Sequence, residues 1–139
     1  MAIAALTPRV RTIVICDEVF ASLTEDDVFA LEGVRYRLGA SWFPWRKSLS
    51  VFLLLSSPRR GKFKGRMLIV SDRTDKAIRY VNFVAAFQED NELLPLWLDV
   101  GDCLFPEAGQ YNFEIYFSGR DGGEALKGEH PFIVLSYEE

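Results

Sequence analysis

Apolar side chains recur at every second position along most of the chain, which is the spacing that places them on one face of a β-strand. The clearest case is the segment 105–117, where Pro106 and Gly109 mark a turn before the alternation begins. Four alternating residues then predict a half-buried strand: Tyr111, Phe113, Ile115 and Phe117.

Similar alternation, separated by turn residues, predicts about eight strands and no helix of ordinary length. The predicted strands cover residues 8–16, 28–38, 49–55, 66–70, 77–87, 93–100, 110–118 and 131–137. Strands at this spacing favour an antiparallel β-sandwich over a parallel α/β sheet. With 139 residues, the chain fits a single domain, 1–139.

Individual residues add detail to three segments: a turn, the buried face of a strand and a sheet edge. The tetrad Thr24 to Asp27 is interpreted as a turn, although Thr24 could instead cap one helical turn. In the strand 28–38, Val34, Tyr36 and Leu38 are predicted on the buried face. Pro95 cannot donate a ladder hydrogen bond, which places the strand 93–100 at a sheet edge.

Two segments are apolar on both faces. These are Ile13 to Ile15 and Ser50 to Leu54. Residues on opposite sides of a strand cannot all face one core, so a second layer or another chain has to cover the outer face.

Tyr111 stands at the start of its strand, after a glycine and an acidic residue. This arrangement resembles the tyrosine corner of immunoglobulin-like sandwiches, in which the hydroxyl bonds an upstream backbone group. The alternative is a tyrosine that only faces the core. The corner interpretation makes the expected fold an immunoglobulin-like antiparallel β-sandwich of about seven to nine strands.

Short motifs along the chain resemble a bacterial family of small, uncharacterised immunoglobulin-like sandwich proteins, a domain of unknown function. They are Cys16-Asp17-Glu18-Val19, Gly33-Val34, Phe43-Pro44, Pro106 to Phe113, and Pro131-Phe132-Ile133-Val134. The resemblance implies a fold and a bacterial cytoplasmic setting. It supplies no catalytic residues.

The net charge of −4 conceals an uneven distribution. Residues 1–80 hold 14 Lys and Arg against 8 Asp and Glu, whereas residues 81–139 hold 2 against 12. Either the two parts neutralise each other across neighbouring strands, or the first part presents a basic surface to an anionic partner.

No feature of the sequence predicts a cofactor, a metal site or catalysis. The single histidine, His130, precedes a proline at a strand entrance, and Cys16 and Cys103 lack the short spacing of zinc ligands. Asp26, Asp27, Asp72 and Asp75 are candidate calcium ligands, but turn formation explains them better. Two cysteines and no secretory leader or membrane-spanning segment predict a cytoplasmic protein.

Two candidate binding sites remain. The cluster Arg59, Arg60, Lys62, Lys64 and Arg66 could bind nucleic acid or an acidic lipid surface, or simply keep the connection 56–65 solvated. The loop that carries Trp42, Phe43 and Trp45 could bind a sugar or a protein, or close one end of the core.

The sequence therefore predicts a non-enzymatic interaction or accessory domain that binds a protein partner or self-associates. The alternative is an anion-binding module that uses residues 59–66, and a small hydrolase using Cys103 or His130 is the third hypothesis.

Overall fold

A computed structural model describes residues 7–119 and 123–137, and these residues form ten β-strands and no helix. The strands are β1 (Arg9–Cys16), β2 (Glu18–Ala21), β3 (Phe29–Glu32), β4 (Arg37–Ala40), β5 (Trp45–Ser57), β6 (Gly61–Ser71), β7 (Ala77–Phe87), β8 (Glu92–Phe105), β9 (Gly109–Ser118) and β10 (Glu124–Ser136). Within these ranges, no helix is long and apolar enough to cross a membrane.

The strands form three sheets. The largest has the order β4-β10-β9-β6-β7 and curls into a half-barrel, the second has the order β1-β5-β8, and β2 pairs with β3 in a separate hairpin. The all-β prediction is confirmed. The expectation of a purely antiparallel structure is wrong for one pair, because β4 runs parallel to β10.

One hydrophobic core lies between the five-stranded and the three-stranded sheet. The alternating residues of β5 and β9 supply much of it, as the pattern predicted. The buried side chains of these two strands are Leu49, Val51, Leu53, Leu55, Tyr111, Phe113, Ile115 and Phe117. Phe105 joins the sheets, since its ring lies 5.1 Å from that of Tyr111 and 6.4 Å from that of Phe132.

The two large sheets also approach each other along both sides. On one side, β1 lies beside β10, and Gly128 leaves so little room that an added Cβ would come within 2.7 Å of Val10 Cβ. On the other side, Arg79 Nη1 of β7 donates a 2.9 Å hydrogen bond to the carbonyl oxygen of Gly101 in β8. Strands of the two sheets therefore contact each other along both edges of the core.

The hydroxyl of Tyr111 donates a 2.6 Å hydrogen bond to the carbonyl oxygen of Glu107. Tyr111 itself is buried. The predicted bond of a tyrosine corner is confirmed, and it fixes the turn that leads from β8 into β9.

The single strand predicted over 28–38 is wrong. Gly33 has a φ of +67°, a left-handed conformation that interrupts the strand and separates β3 from β4. Val34 and Tyr36, predicted to be buried, lie in the resulting link and are exposed, whereas Leu38 is buried as expected. The turn predicted at residues 24–27 is confirmed, and it joins β2 to β3.

Two other segments belong to longer strands than the sequence predicts. The connection expected over 56–65 shrinks to residues 58–60, because β5 continues to Ser57 and β6 begins at Gly61. Likewise, the short arm at 124–126 and the last strand belong to one strand, β10, with an irregularity between Leu126 and Gly128. Pro95 lies at the edge of the three-stranded sheet, as predicted.

Candidate interaction surfaces

The basic residues predicted as a binding site lie on the outer face of the five-stranded sheet. Because side chains alternate along β6, Phe63 and Met67 point to the core and the intervening cations point outward. These outward cations are Lys62, Lys64 and Arg66, and Arg59 and Arg60 precede them in the turn. The neighbouring strand β7 places Ala86 beside Lys62 and the exposed Val84 beside Lys64.

Only one of these five cations is paired. Arg66 binds Glu124, and the side chains are 40% and 32% exposed. Within residues 7–119 and 123–137, the side chains of the other four form no ion pair, and all four residues are exposed. We call Arg59, Arg60, Lys62 and Lys64 the basic stripe. They leave positive charge available to an anionic group.

A groove of about 430 Å³ lies beside the basic stripe. Lys64, Arg66 and Glu124 supply its charged groups, and the exposed Val84 supplies apolar surface. The site therefore combines cations with a depression that an apolar side chain can enter.

Acidic groups occupy another part of the same outer face. Tyr116 Oη donates a 2.6 Å hydrogen bond to Glu114, and Asn112 Nδ2 donates 3.0 Å bonds to Glu114 and Glu129. The hydrogen bond to the Glu114 carboxylate, together with burial, raises the pKa of Tyr116 to about 12. The outer face is thus basic along β6 and acidic toward β9 and β10.

The aromatic loop divides its side chains between core and solvent. Trp45 packs 5.9 Å from the ring of Phe105, and Phe43 is half-buried against the core. Trp42 is 76% exposed. Phe43 and Trp45 therefore close the core, and Trp42 is the one of these three rings that is exposed to solvent.

The β2–β3 hairpin covers the outer face of the three-stranded sheet. Phe29 of β3 lies 5.6 Å from Phe52 of β5 and 5.7 Å from Trp97 of β8, measured between ring centroids. Phe52 and Trp97 face each other across the β5–β8 pair. The second layer that the two-sided apolar strand required is therefore a segment of the same chain.

The hairpin does not bury all of the apolar surface around it. Leu23 at the hairpin turn is fully exposed, and Trp97 on β8 is 36% exposed. We call the exposed apolar residues of this region the hairpin surface: Phe20, Leu23, Val28 and Trp97. The two-sided apolar pattern was the only sequence signal for this surface, and it could not say which segment provides the cover.

Carboxylates surround the hairpin surface. They are Glu18, Glu25, Asp26, Asp27 and Glu32, all exposed. None of them forms an ion pair among the described residues. Asp27 has a φ of +60°, so it also serves the turn itself.

A partly buried polar contact holds the base of the hairpin. Arg35 donates two hydrogen bonds of 2.7 Å to the carboxylate of Asp17, and Lys47 Nζ lies 3.5 Å from it. The bonds from Arg35, with the charge of Lys47, hold the pKa of Asp17 below its usual value. The backbone N–H of Asp17 donates to the carbonyl oxygen of Glu32, so this contact ties the end of β1 to the end of β3.

The residues considered for catalysis or zinc binding, Cys16, Cys103 and His130, lie on three different strands: β1, β8 and β10. Cys103 of β8 is buried, which raises the pKa of its thiol to about 11, so little thiolate exists at neutral pH. His130 of β10 places Nδ1 2.7 Å from the carbonyl oxygen of Pro131. Both cysteines are free and buried.

The four aspartates considered for calcium fall in two separate turns, 22–28 and 72–76. In the described ranges, no group of three or more His, Cys, Asp or Glu side chains could hold a metal ion. Asp75 has a φ of +57° and its N–H donates to the carbonyl oxygen of Ser71, which is a turn-forming role.

These features define an all-β protein of two facing sheets with a covering hairpin and charged outer faces. No protein-family model matches the chain, and no curated protein matches it significantly.

Proposed function

We propose that this chain is a non-enzymatic interaction domain that acts through its outer surfaces and associates with copies of itself. The observation that carries the proposal is the hairpin surface. It consists of exposed apolar side chains on the hairpin together with Trp97 of β8, which the hairpin contacts through Phe29, and exposed apolar groups of this kind are typical of protein contacts. Trp97 is of the residue type that dominates binding energy at interfaces.

The test is sedimentation velocity over a wide range of protein concentration. The wild type should sediment as larger species as the concentration rises, and Leu23→Asp should remain a monomer. Because Leu23 is fully exposed, this substitution should leave the fold and the unfolding temperature unchanged.

Val34→Asp is the matched control, since Val34 is also exposed but lies outside the hairpin surface. A wild type that remains a monomer at every concentration would contradict self-association. So would association that Leu23→Asp leaves intact.

A second candidate function is anion binding by the basic stripe. Its support is that four exposed cations lie together without carboxylate partners among the described residues. Labelled single-stranded DNA and vesicles of acidic lipid, titrated at low and high salt, test it. Binding should weaken as salt rises and should be lost in the double variant Lys62→Glu, Lys64→Glu; binding unaffected by that charge reversal contradicts it.

For the fold, we propose kinship with immunoglobulin-like sandwiches and with the bacterial family that the motifs resemble. The Tyr111–Glu107 hydrogen bond and the two facing sheets support it. Cytoplasmic location remains a prediction from the sequence.

A further inference from the structure

The turn of the β2–β3 hairpin places an exposed apolar side chain next to negatively charged side chains. Leu23 projects fully into solvent, and Glu25, Asp26 and Asp27 follow it within four residues. Burying a fully exposed leucine removes apolar surface from water, so a contact that covers Leu23 is favourable.

The basic stripe and its groove have the complementary chemistry. Lys62 and Lys64 supply positive charge that forms no ion pair among the described residues, and the exposed Val84 gives the adjacent groove an apolar part. A leucine can therefore enter the groove while the carboxylates beside it approach the lysines.

These two sites lie on opposite sides of the molecule. The hairpin covers the outer face of the three-stranded sheet, whereas Lys62 and Lys64 stand on the outer face of the five-stranded sheet. One molecule cannot bring its own hairpin turn to its own stripe. A second copy of the chain, however, can bring its hairpin turn to the basic stripe of the first.

We propose that copies of this protein associate head to tail, with the hairpin turn of one copy seated on the groove and basic stripe of the next. This inference rests on the self-association proposed above and specifies which surfaces meet. A contact between two different surfaces is heterologous, so it leaves one free hairpin turn and one free stripe at the ends and extends into chains or closed rings.

A nucleic acid is a poorer match to the same stripe. The chain has a net charge of −4, and Glu114, Glu124 and Glu129 lie on the same sheet face. A polyanion that follows the stripe toward β9 meets these carboxylates, whereas a single acidic turn contacts only the β6–β7 side.

Mixing two complementary variants tests the inference. Glu25→Lys with Asp26→Lys reverses the hairpin turn but keeps the stripe, and Lys62→Glu with Lys64→Glu reverses the stripe but keeps the turn. Each variant alone should sediment as a monomer, because its turn and its stripe carry charge of the same sign. An equimolar mixture should associate again and grow with concentration as the wild type does, because the turn of each variant is opposite in charge to the stripe of the other. Association of the wild type should weaken as salt rises.

Three results would overturn the inference. If the stripe variant assembles like the wild type and only the hairpin variant fails, the hairpin surfaces contact each other, and self-association stands without the head-to-tail arrangement. If both variants assemble like the wild type, neither site carries the contact. If the stripe variant loses only binding to single-stranded DNA and keeps its association, the stripe serves an anionic polymer.

All four substituted positions are exposed, and equal unfolding temperatures would verify that the variants fold. The milder pair Lys62→Gln with Lys64→Gln gives a second readout. It should reduce association at low salt and have little effect at high salt, where the charges are already screened.

Discussion

Asp17 is the residue on which the attachment of the hairpin depends. Its side chain accepts two hydrogen bonds from Arg35, and its N–H donates to the carbonyl oxygen of Glu32. Gly33 makes this approach possible, because a Cβ at that position would lie 2.3 Å from the Asp17 carboxylate. Two of the short motifs in the sequence, Cys16 to Val19 and Gly33-Val34, therefore mark one structural contact.

Replacing Asp17 by Asn should lower the free energy of unfolding by about 1–2 kcal/mol, since charge-assisted hydrogen bonds are lost and Arg35 remains half-buried without its partner. Chemical denaturation measures the change. The matched control is Asp102→Asn, whose pair with Arg46 is exposed and should contribute less than about 0.5 kcal/mol. Equal losses in the two variants would contradict the role given to Asp17.

The same pair predicts a dependence on pH. Because the pKa of Asp17 is lowered in the folded protein, its stabilisation is complete above the pKa of the unfolded state, about 3.9. It is lost as the pH falls through the lower, folded-state pKa. The difference in unfolding free energy between wild type and Asp17→Asn should therefore be constant near neutral pH and should shrink below pH about 4.

At the scale of elements, the hairpin is a separate two-stranded sheet attached through few contacts. Phe29 is its aromatic anchor on the sandwich, against Phe52 and Trp97. Two strands alone are marginally stable in water, so the hairpin depends on this packing.

Replacing Phe29 by Ala should therefore release the hairpin without unfolding the sandwich. Hydrogen exchange followed by mass spectrometry should show faster exchange across residues 18–32 and unchanged protection in β9. Phe20→Ala is the control, because Phe20 lies on the half-exposed outward face and its loss should change protection little. A uniform loss of protection throughout the protein would show instead that the hairpin and the sandwich unfold together.

The alternation of residues along the chain was sufficient to predict the long strands, and it failed where one local feature overrides it. It located β7 and β9 to within two residues, because β-branched and aromatic residues run through both segments between clear turn signals. In segment 28–38 the same pattern continues across Gly33, and periodicity carries no information about the kink in the backbone there. Basic residues also hid the first half of β6, since Lys62 and Lys64 are typical of a loop until Phe63 is recognised as the position between them that faces the core.

Site prediction failed for a related reason. The basic cluster was found because its members are consecutive in sequence. The hairpin surface combines residues of the 20–28 segment with Trp97, which the folding of the hairpin over β8 brings together.

Across the whole molecule, the charge asymmetry of the chain is partly resolved by pairing. Three of the five ion pairs among the described residues join a cation before residue 81 to a carboxylate after it: Arg46–Asp102, Arg66–Glu124 and Arg73–Glu107. The basic stripe stays outside this pairing. Neutralisation between the two parts and a free basic surface therefore coexist.

Closure of the sandwich depends on the contact of β1 with β10. Gly128→Ala should lower the free energy of unfolding by about 1–3 kcal/mol, because the new methyl group would press on Val10 and push the strands apart. Gly101→Ala is the matched control, since no atom lies within 4 Å of its added methyl group. Thermal unfolding of the two variants compares them, and a loss of stability at Gly101 as large as at Gly128 would contradict the argument.

The sheet orders impose a sequence of events on synthesis. β9 lies between β6 and β10, and in the described part of the chain β4 has β10 as its one sheet neighbour. Until β10 leaves the ribosome, this pairing of β4 cannot form, and β9 presents an unsatisfied ladder with Phe113 and Phe117 beside it. A growing chain therefore keeps an open sheet edge flanked by apolar side chains until β10 emerges, and we expect it to be most prone to aggregate during that interval.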